Sequence, residues 1–136
     1  MKIEPNTFNT IDIATSGLRA YGRQMKVIGS NMANIQTTDA GNGQPYRRLI
    51  AEFEAQTDDG ASGVSIKDIV RDQSPFQQVL KPGHPNADEN GYVSMPNVNW
   101  ATEMVNLNAA SRAYQANAAI LKRYQKMVES SLELLR

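Results

Sequence analysis

The chain has 136 residues, of which 40% are hydrophobic and 7% aromatic; its mean hydropathy is −0.49 and it has no cysteine. That is the length of one ordinary domain, and the missing thiols exclude disulfides, zinc–thiolate sites and cysteine nucleophiles. Fourteen basic and fourteen acidic groups cancel, but residues 1–35 and 100–136 are each +2 while residues 36–99 are −4, too mild a polarity for nucleic acid but one that suits the orientation of subunits.

Met1 to Thr10 is polar and holds Pro5. It has neither the basic nor the apolar region of a cleaved secretory signal. No stretch approaches the ~20 apolar residues that span a bilayer. The expectation is a soluble chain without a membrane span, which leaves the cytosol, if it does, without a cleaved signal peptide.

A first helix is expected to start near Asn6 to Asn9, with Asn9 as a cap and Asp12 in the favourable first turn. Ile11, Ala14, Leu18, Tyr21, Met25, Ile28, Met32 and Ile35 then recur at alternating spacings of three and four. This is a heptad seam and predicts coiled-coil packing. The helix should end near Asn34 to Gln36, as a rod of about 40 Å. Gly17, Gly22 and Gly29 interrupt it. Each costs about 1 kcal/mol against alanine, and each either weakens the helix or admits a close neighbour.

Residues 36–45 are rich in breakers and read as a loop. Leu49, Ala51, Phe53 and Ala55 alternate with polar positions, a strand with one buried face. Residues 58–63 read as a turn, and Val64 to Val70 as a second strand. Phe76 to Leu80 and Tyr92 to Met95 are shorter strand candidates, separated by a loop that closes on Asn90-Gly91. The second helix follows, capped by Asn99 or Asn97, with Glu103 near its positive end. Its stripe is Leu107, Ala110, Tyr114, Ala118, Leu121, Tyr124, Val128, Leu132 and Leu135.

The fold class is therefore α+β, mostly α. Residues 1–36 and 98–136 form a coiled-coil-like helix pair, and residues 37–97 a small antiparallel β region that leans on it. Within the pair, Leu18, Met25, Leu121 and Val128 should face one another. Ile13, Val27, Ala113, Ala116, Ala119 and Ile120 flank the seam. Stripes wider than one seam imply more than one neighbour.

Catalytic signals are weak. His84 is the single histidine and sits in a loop, so no Ser-His-Asp set can be drawn. Asp88-Glu89-Asn90-Gly91 shares the opening of a calcium loop but lacks its later ligands and closing glutamate. Gly41 to Gly43 has no following Gly-Lys-Ser/Thr. The reading is no enzyme, no metal and no cofactor. Arg47-Arg48 and Lys122-Arg123 are solvated basic pairs or partners for a neighbour's acidic middle.

Ser30-Asn31-Met32-Ala33-Asn34-Ile35-Gln36-Thr37-Thr38 resembles the signature that ends the N-terminal helix of bacterial flagellar rod and hook proteins, with Met32 as a conservative departure. Glu103-Met104-Val105-Asn106-Leu107, followed by Ala110-Ser111-Arg112-Ala113-Tyr114-Gln115-Ala116-Asn117, is similar to that family's C-terminal signature. The overall length, Gly43 to Tyr46 and Asn90 to Val98 resemble its proximal-rod members.

The resemblance implies a structural subunit of the flagellar basal-body rod, without catalytic residues. Its partners would be other copies of itself and neighbouring flagellar rod proteins, with the flagellar type III export apparatus during secretion. It would assemble in the periplasmic space as a tube around the export channel, transmitting torque. Packing would fall to Ile11, Leu18, Met25, Ile28 and Met32 on one helix and to Leu107, Leu121, Tyr124, Val128, Leu132 and Leu135 on the other. Asn31, Asn34, Asn106, Arg112, Gln115 and Asn117 would form a polar layer that serves helix ends and subunit contacts. The alternatives are another rod or hook axial protein, or a helical adaptor that binds a partner helix in a groove.

Overall fold

The computed structural model describes residues 5–58 and 61–134. It runs α1 (Pro5–Ala33), β1 (Leu49–Asp58), β2 (Ala61–Arg71), β3 (Gln77–Leu80), β4 (Tyr92–Met95) and α2 (Trp100–Glu133). The mostly helical α+β class is as expected. Two long helices flank, in sequence, two small antiparallel sheets, β1–β2 and β3–β4.

Helix α1 begins earlier than the sequence suggested. Pro5 is its first residue, and the first turn contains no acid. Asn9 lies inside the helix and is not its cap, and Asp12 is beyond the first turn. Proline is tolerated there because a first-turn N–H has no helical partner to lose. The helix closes at Ala33, where Asn34 N–H donates back to Ser30 and Asn31 carbonyls. Helix α2 is capped by Asn99, whose side chain accepts from Thr102 N–H at 3.0 Å.

The helices run antiparallel. A Cβ at Gly17 would lie 2.8 Å from the Asn117 amide, one at Gly22 would lie 3.7 Å from the Tyr114 ring, and Asn31 meets Glu103. Gly17 thus admits a close approach, whereas Gly29 has nothing within 4 Å of its would-be Cβ. Ala14, Ala20, Ile28 and Ala110 are buried. Leu18, Met25 and Leu121 are half-buried in the pair. Val27 is buried within the chain and is not left for a neighbour.

The β1–β2 ribbon is longer than expected. It pairs from Leu49↔Arg71 out to Asp58↔Ala61, so only residues 59–60 lie between the strands and the wider turn over 58–63 is corrected. Between Glu52 and Phe53 the register shifts, leaving Lys67 without an opposite residue. A bulge of this kind breaks strict alternation. Phe53 is consequently only partly covered, its ring 5.4 Å from that of Tyr21, and Ala55 is exposed. Val64 N–H donates to Ser16 Oγ at 3.0 Å, which ties β2 to α1. The smaller sheet pairs Gln77↔Met95 to Leu80↔Tyr92. Val93 and Val98 are buried at the corner that leads into α2.

Candidate assembly surface

Among the described residues, two polar side chains are buried, Asn31 (1% exposed) and Glu103 (0%). They come from the two terminal signatures, 72 residues apart, and they touch. Asn31 Nδ2 donates to Glu103 Oε2 at 3.0 Å and to the Leu49 carbonyl at 2.8 Å. Its Oδ1 accepts from Leu49 N–H at 2.9 Å and from the Tyr46 hydroxyl at 3.1 Å. All four hydrogen-bonding positions of the amide are filled. The amide pairs with Leu49 as a neighbouring strand would.

The second oxygen of Glu103 is held by Arg48. Nε donates to Oε1 at 2.7 Å, and Nη1 reaches Asp72 Oδ2 at 3.4 Å. Arg48 and Arg47 precede β1 rather than lying on it. The pair is not a solvated one that waits for a neighbour's acids, because both are used within the chain. Arg47 Nη1 donates to the Asp72 and Ser74 carbonyls, and its guanidinium lies 4.2 Å above the Phe76 ring. Asn97 accepts from Arg48 N–H at 2.8 Å and donates to Asp72 and Ser74. It anchors the corner, while Asn99 caps.

Burial opposes charge on Arg48, but the hydrogen bond and charge of Glu103, then those of Asp72, outweigh it and raise the guanidinium above its ordinary value. Asp72 is held below the usual carboxylate range, first by Ser74 N–H and then by the Ser74 hydroxyl, with Arg48 adding to both. A buried ion pair stabilises only when its remaining positions are satisfied, and here they are.

The other signature residues do different work. Ser30, Asn34, Thr37 and Thr38 close the helix end: Asn34 Nδ2 donates to the Ser30 carbonyl, Thr37 Oγ1 donates to Asn34 Oδ1, Ser30 Oγ lies 3.2 Å from Tyr46 Oη, and Thr38 Oγ1 accepts from Asn86. Asn117 Nδ2 donates to the Ala113 carbonyl, within its own helix. Ala33, Arg112, Gln115 and Ala116 are exposed. Met32, Met104, Asn106, Leu107, Ser111 and Ala113 are half-buried. The expected polar layer is thus brought together at Asn31 but not at Arg112 or Gln115.

Along the seam, Ile11 and Tyr124 are half-buried and Ile28 is buried. Val128 and Leu132 are exposed (38% and 61%) rather than covered by α1. Leu135 lies outside the described residues.

A second apolar stripe runs along the outside of α2. Val105 (68% exposed), Ala109, Ala116, Ile120 and Met127 (52%) are spaced by four and seven. At ~3.6 residues per turn they sit about a third of a turn from Ala110 and Leu121. Ile13 is exposed on α1. The sequence identified Ile120, Ile13 and Ala116 by their place beside the seam. It missed Met127, which falls between two seam residues, and it missed the role of Glu103, whose partner Arg48 is 55 residues away.

An open groove of about 920 Å³ lies between residues 38–47 and the β3–β4 hairpin. Its carboxylates are engaged in shaping turns. Asp39 Oδ1 accepts from Gly41 and Gly43 N–H, and Asp88 Oδ1 from Asn90 and Tyr92 N–H. This assigns Asp88 to a turn and leaves the groove without a free acid–base pair. Among the described residues, no helix is long and apolar enough to cross a membrane.

Residues 89–134 match the family described as flagellar basal body rod FlgEFG protein C-terminal. The match spans β4, the corner and all of α2. Over 128 residues the chain is 41% identical to the flagellar basal-body rod protein FlgC of Escherichia coli O6:H1, covering 93% of this chain and 96% of that one. It is 40% identical, with the same coverage, to the FlgC of Salmonella typhimurium. To the FlgC of Borreliella burgdorferi it is 34% identical over 148 residues, covering 95% and 97%. The likeness thus extends through both signatures and the β region between them.

Proposed function

Because the chain belongs to the family of flagellar basal-body rod proteins FlgC, we infer that it is a structural subunit of the flagellar basal-body rod. As such it is a motility component that assembles with other flagellar rod proteins. Its finer placement is our reading. It occupies the proximal rod, where copies of it and neighbouring rod proteins pack helix against helix into a tube around an export channel and carry torque. It reaches the periplasm through the flagellar type III export apparatus without a cleaved signal.

One observation carries the packing mode. The seam between α1 and α2 is already occupied, yet Val105, Ile120 and Met127 form an exposed apolar line beside it. In water such a line is a cost, and burial recovers about 25 cal/mol per Å². A neighbouring helix in coiled-coil packing would bury it. The residues that serve assembly are therefore those on the outer face and far end of α2, with Ile13 on α1. Asn31 and Glu103 are internal.

Complementation tests this reading. Ile120→Asp changes an exposed side chain and leaves the fold intact by circular dichroism. In cells that lack the native protein it abolishes swimming and basal-body formation. Normal swimming of an Ile120→Asp, Met127→Asp double variant would refute packing through this face, while the rod-subunit role itself would stand if the unaltered chain restores motility.

A further inference from the structure

The apolar seams alone do not determine how far along each other the helices sit. Both repeat by heptads. The α2 seam carries Ala110 and Tyr124 at one heptad position and Leu107, Tyr114, Leu121 and Val128 at the other, so a slide of seven residues again sets apolar side chains against apolar side chains at most positions, Asn117 beside Gly17 being the exception. That slide moves α2 by about 10 Å along α1. Coiled coils remove such degeneracy with a polar residue whose partner exists in one register.

We propose that Asn31, Arg48 and Glu103 are positioning residues that set the register of the two terminal helices. In the observed register Glu103 is enclosed, with Asn31 on one oxygen and Arg48 on the other. After a slide of one heptad it loses both partners, and Asn31 Nδ2 and Arg48 Nε lose their carboxylate. An unpaired buried charge is far more costly than the small difference between two apolar alignments. Arg48 immediately precedes β1, so the same interlock places the outer stripe of α2 at a fixed height relative to the β1–β2 ribbon. For assembly this rests on the rod-subunit reading: a slipped subunit would present Val105, Ile120 and Met127 displaced by about two helical turns. The register itself can be read on the chain alone.

The absence of native cysteine makes the test direct. A Cβ at position 17 lies 2.9 Å from the Asn117 carboxamide carbon, within reach of the ~3.5–4.5 Å that separates bridged Cβ atoms. The pair Gly17→Cys, Asn117→Cys therefore reports the observed register. Gly17→Cys with Ala110→Cys or with Tyr124→Cys, both carrying Asn117→Ala to clear the site, reports a slip of one heptad either way. With the interlock intact, oxidation of the full chain closes 17–117 and leaves the slipped pairs open. With Arg48→Met and Glu103→Met together, which keep the volume and leave Asn31 bonded to Leu49, the yield of a slipped pair rises about tenfold or more. Glu103→Gln, a gentler change should the Met pair lose helix by circular dichroism, raises it several-fold. Failure of 17–117 to close in the parent overturns the proposal. So does an unchanged preference for 17–117 in whichever interlock variant retains its helices. Slippage in Asn97→Ala but not in those variants would move the role to the corner before α2 and would also overturn it.

Discussion

The two ends of the helix pair are built on opposite principles. At one end, where α1 finishes and α2 begins, a charged and an amide side chain are fully enclosed, and each of their side-chain nitrogens and oxygens has a partner within the chain. At the other, Met127, Val128, Leu132 and Leu134 are exposed. The closed end spends polar chemistry on a contact that only this chain can complete. The open end keeps apolar surface that this chain does not cover. A subunit made this way folds around one end and keeps apolar surface at the other, as the proposed packing against a neighbour requires.

The largest effect should come from breaking the closed end. Glu103→Ala removes one carboxylate from Arg48, which keeps Asp72, and one acceptor from Asn31, which keeps Leu49, and should cost about 2–3 kcal/mol in urea unfolding of the isolated chain. Leu132→Ala at the open end should change that stability by less than about 0.5 kcal/mol, yet impair rod formation. Equal losses in the two variants would erase the contrast.

The glycines sharpen the comparison along the seam. Gly29→Ala has open space and should gain up to about 1 kcal/mol of helix stability. Gly17→Ala must displace the Asn117 amide, which is bonded to Ala113, and should forfeit that gain and lose about a further 1 kcal/mol. Thermal unfolding of the two single variants decides it, and a stabilised Gly17→Ala would mean that the helices sit farther apart.

The smallest effect is in pH. Asp72 is held below the usual carboxylate range in the folded chain, so its contribution is present above its unfolded value and is lost as pH falls through the folded one. Arg48 is raised, so its contribution is complete below the ordinary guanidinium value and stays constant through neutral pH. Stability should fall on the acid side, and Asp72→Asn should flatten that limb. An unchanged acid limb would remove Asp72 from the closed end's account.

Much of this was legible in the residues. Heptad spacing located both helices and their shared face, and the two signatures identified the family before any contact was known. Spacing could not reveal that Glu103 is an internal ion-pair member, because an acid in a first turn is also explained by the helix dipole. Only tertiary proximity to Arg48 decides between the two. Periodicity could not show the extra residue at Lys67, which shifts the ribbon out of strict alternation. Asn9 looked like a cap because asparagine is favoured there, but Pro5 is equally compatible with a first turn and the helix extends back to it. Val128 and Leu132 belong to the apolar stripe of α2, but the structure leaves both exposed, which a pattern on one helix cannot show.

In the assembled rod the open end and outer face of α2 should be covered. Single Val105→Cys, Met127→Cys and Leu132→Cys variants of the cysteine-free chain can be labelled with a maleimide, free in solution and in purified basal bodies. The account predicts rapid labelling of the free chain at all three positions and strong protection in the basal body. Labelling in the basal body as fast as in the free chain would contradict it.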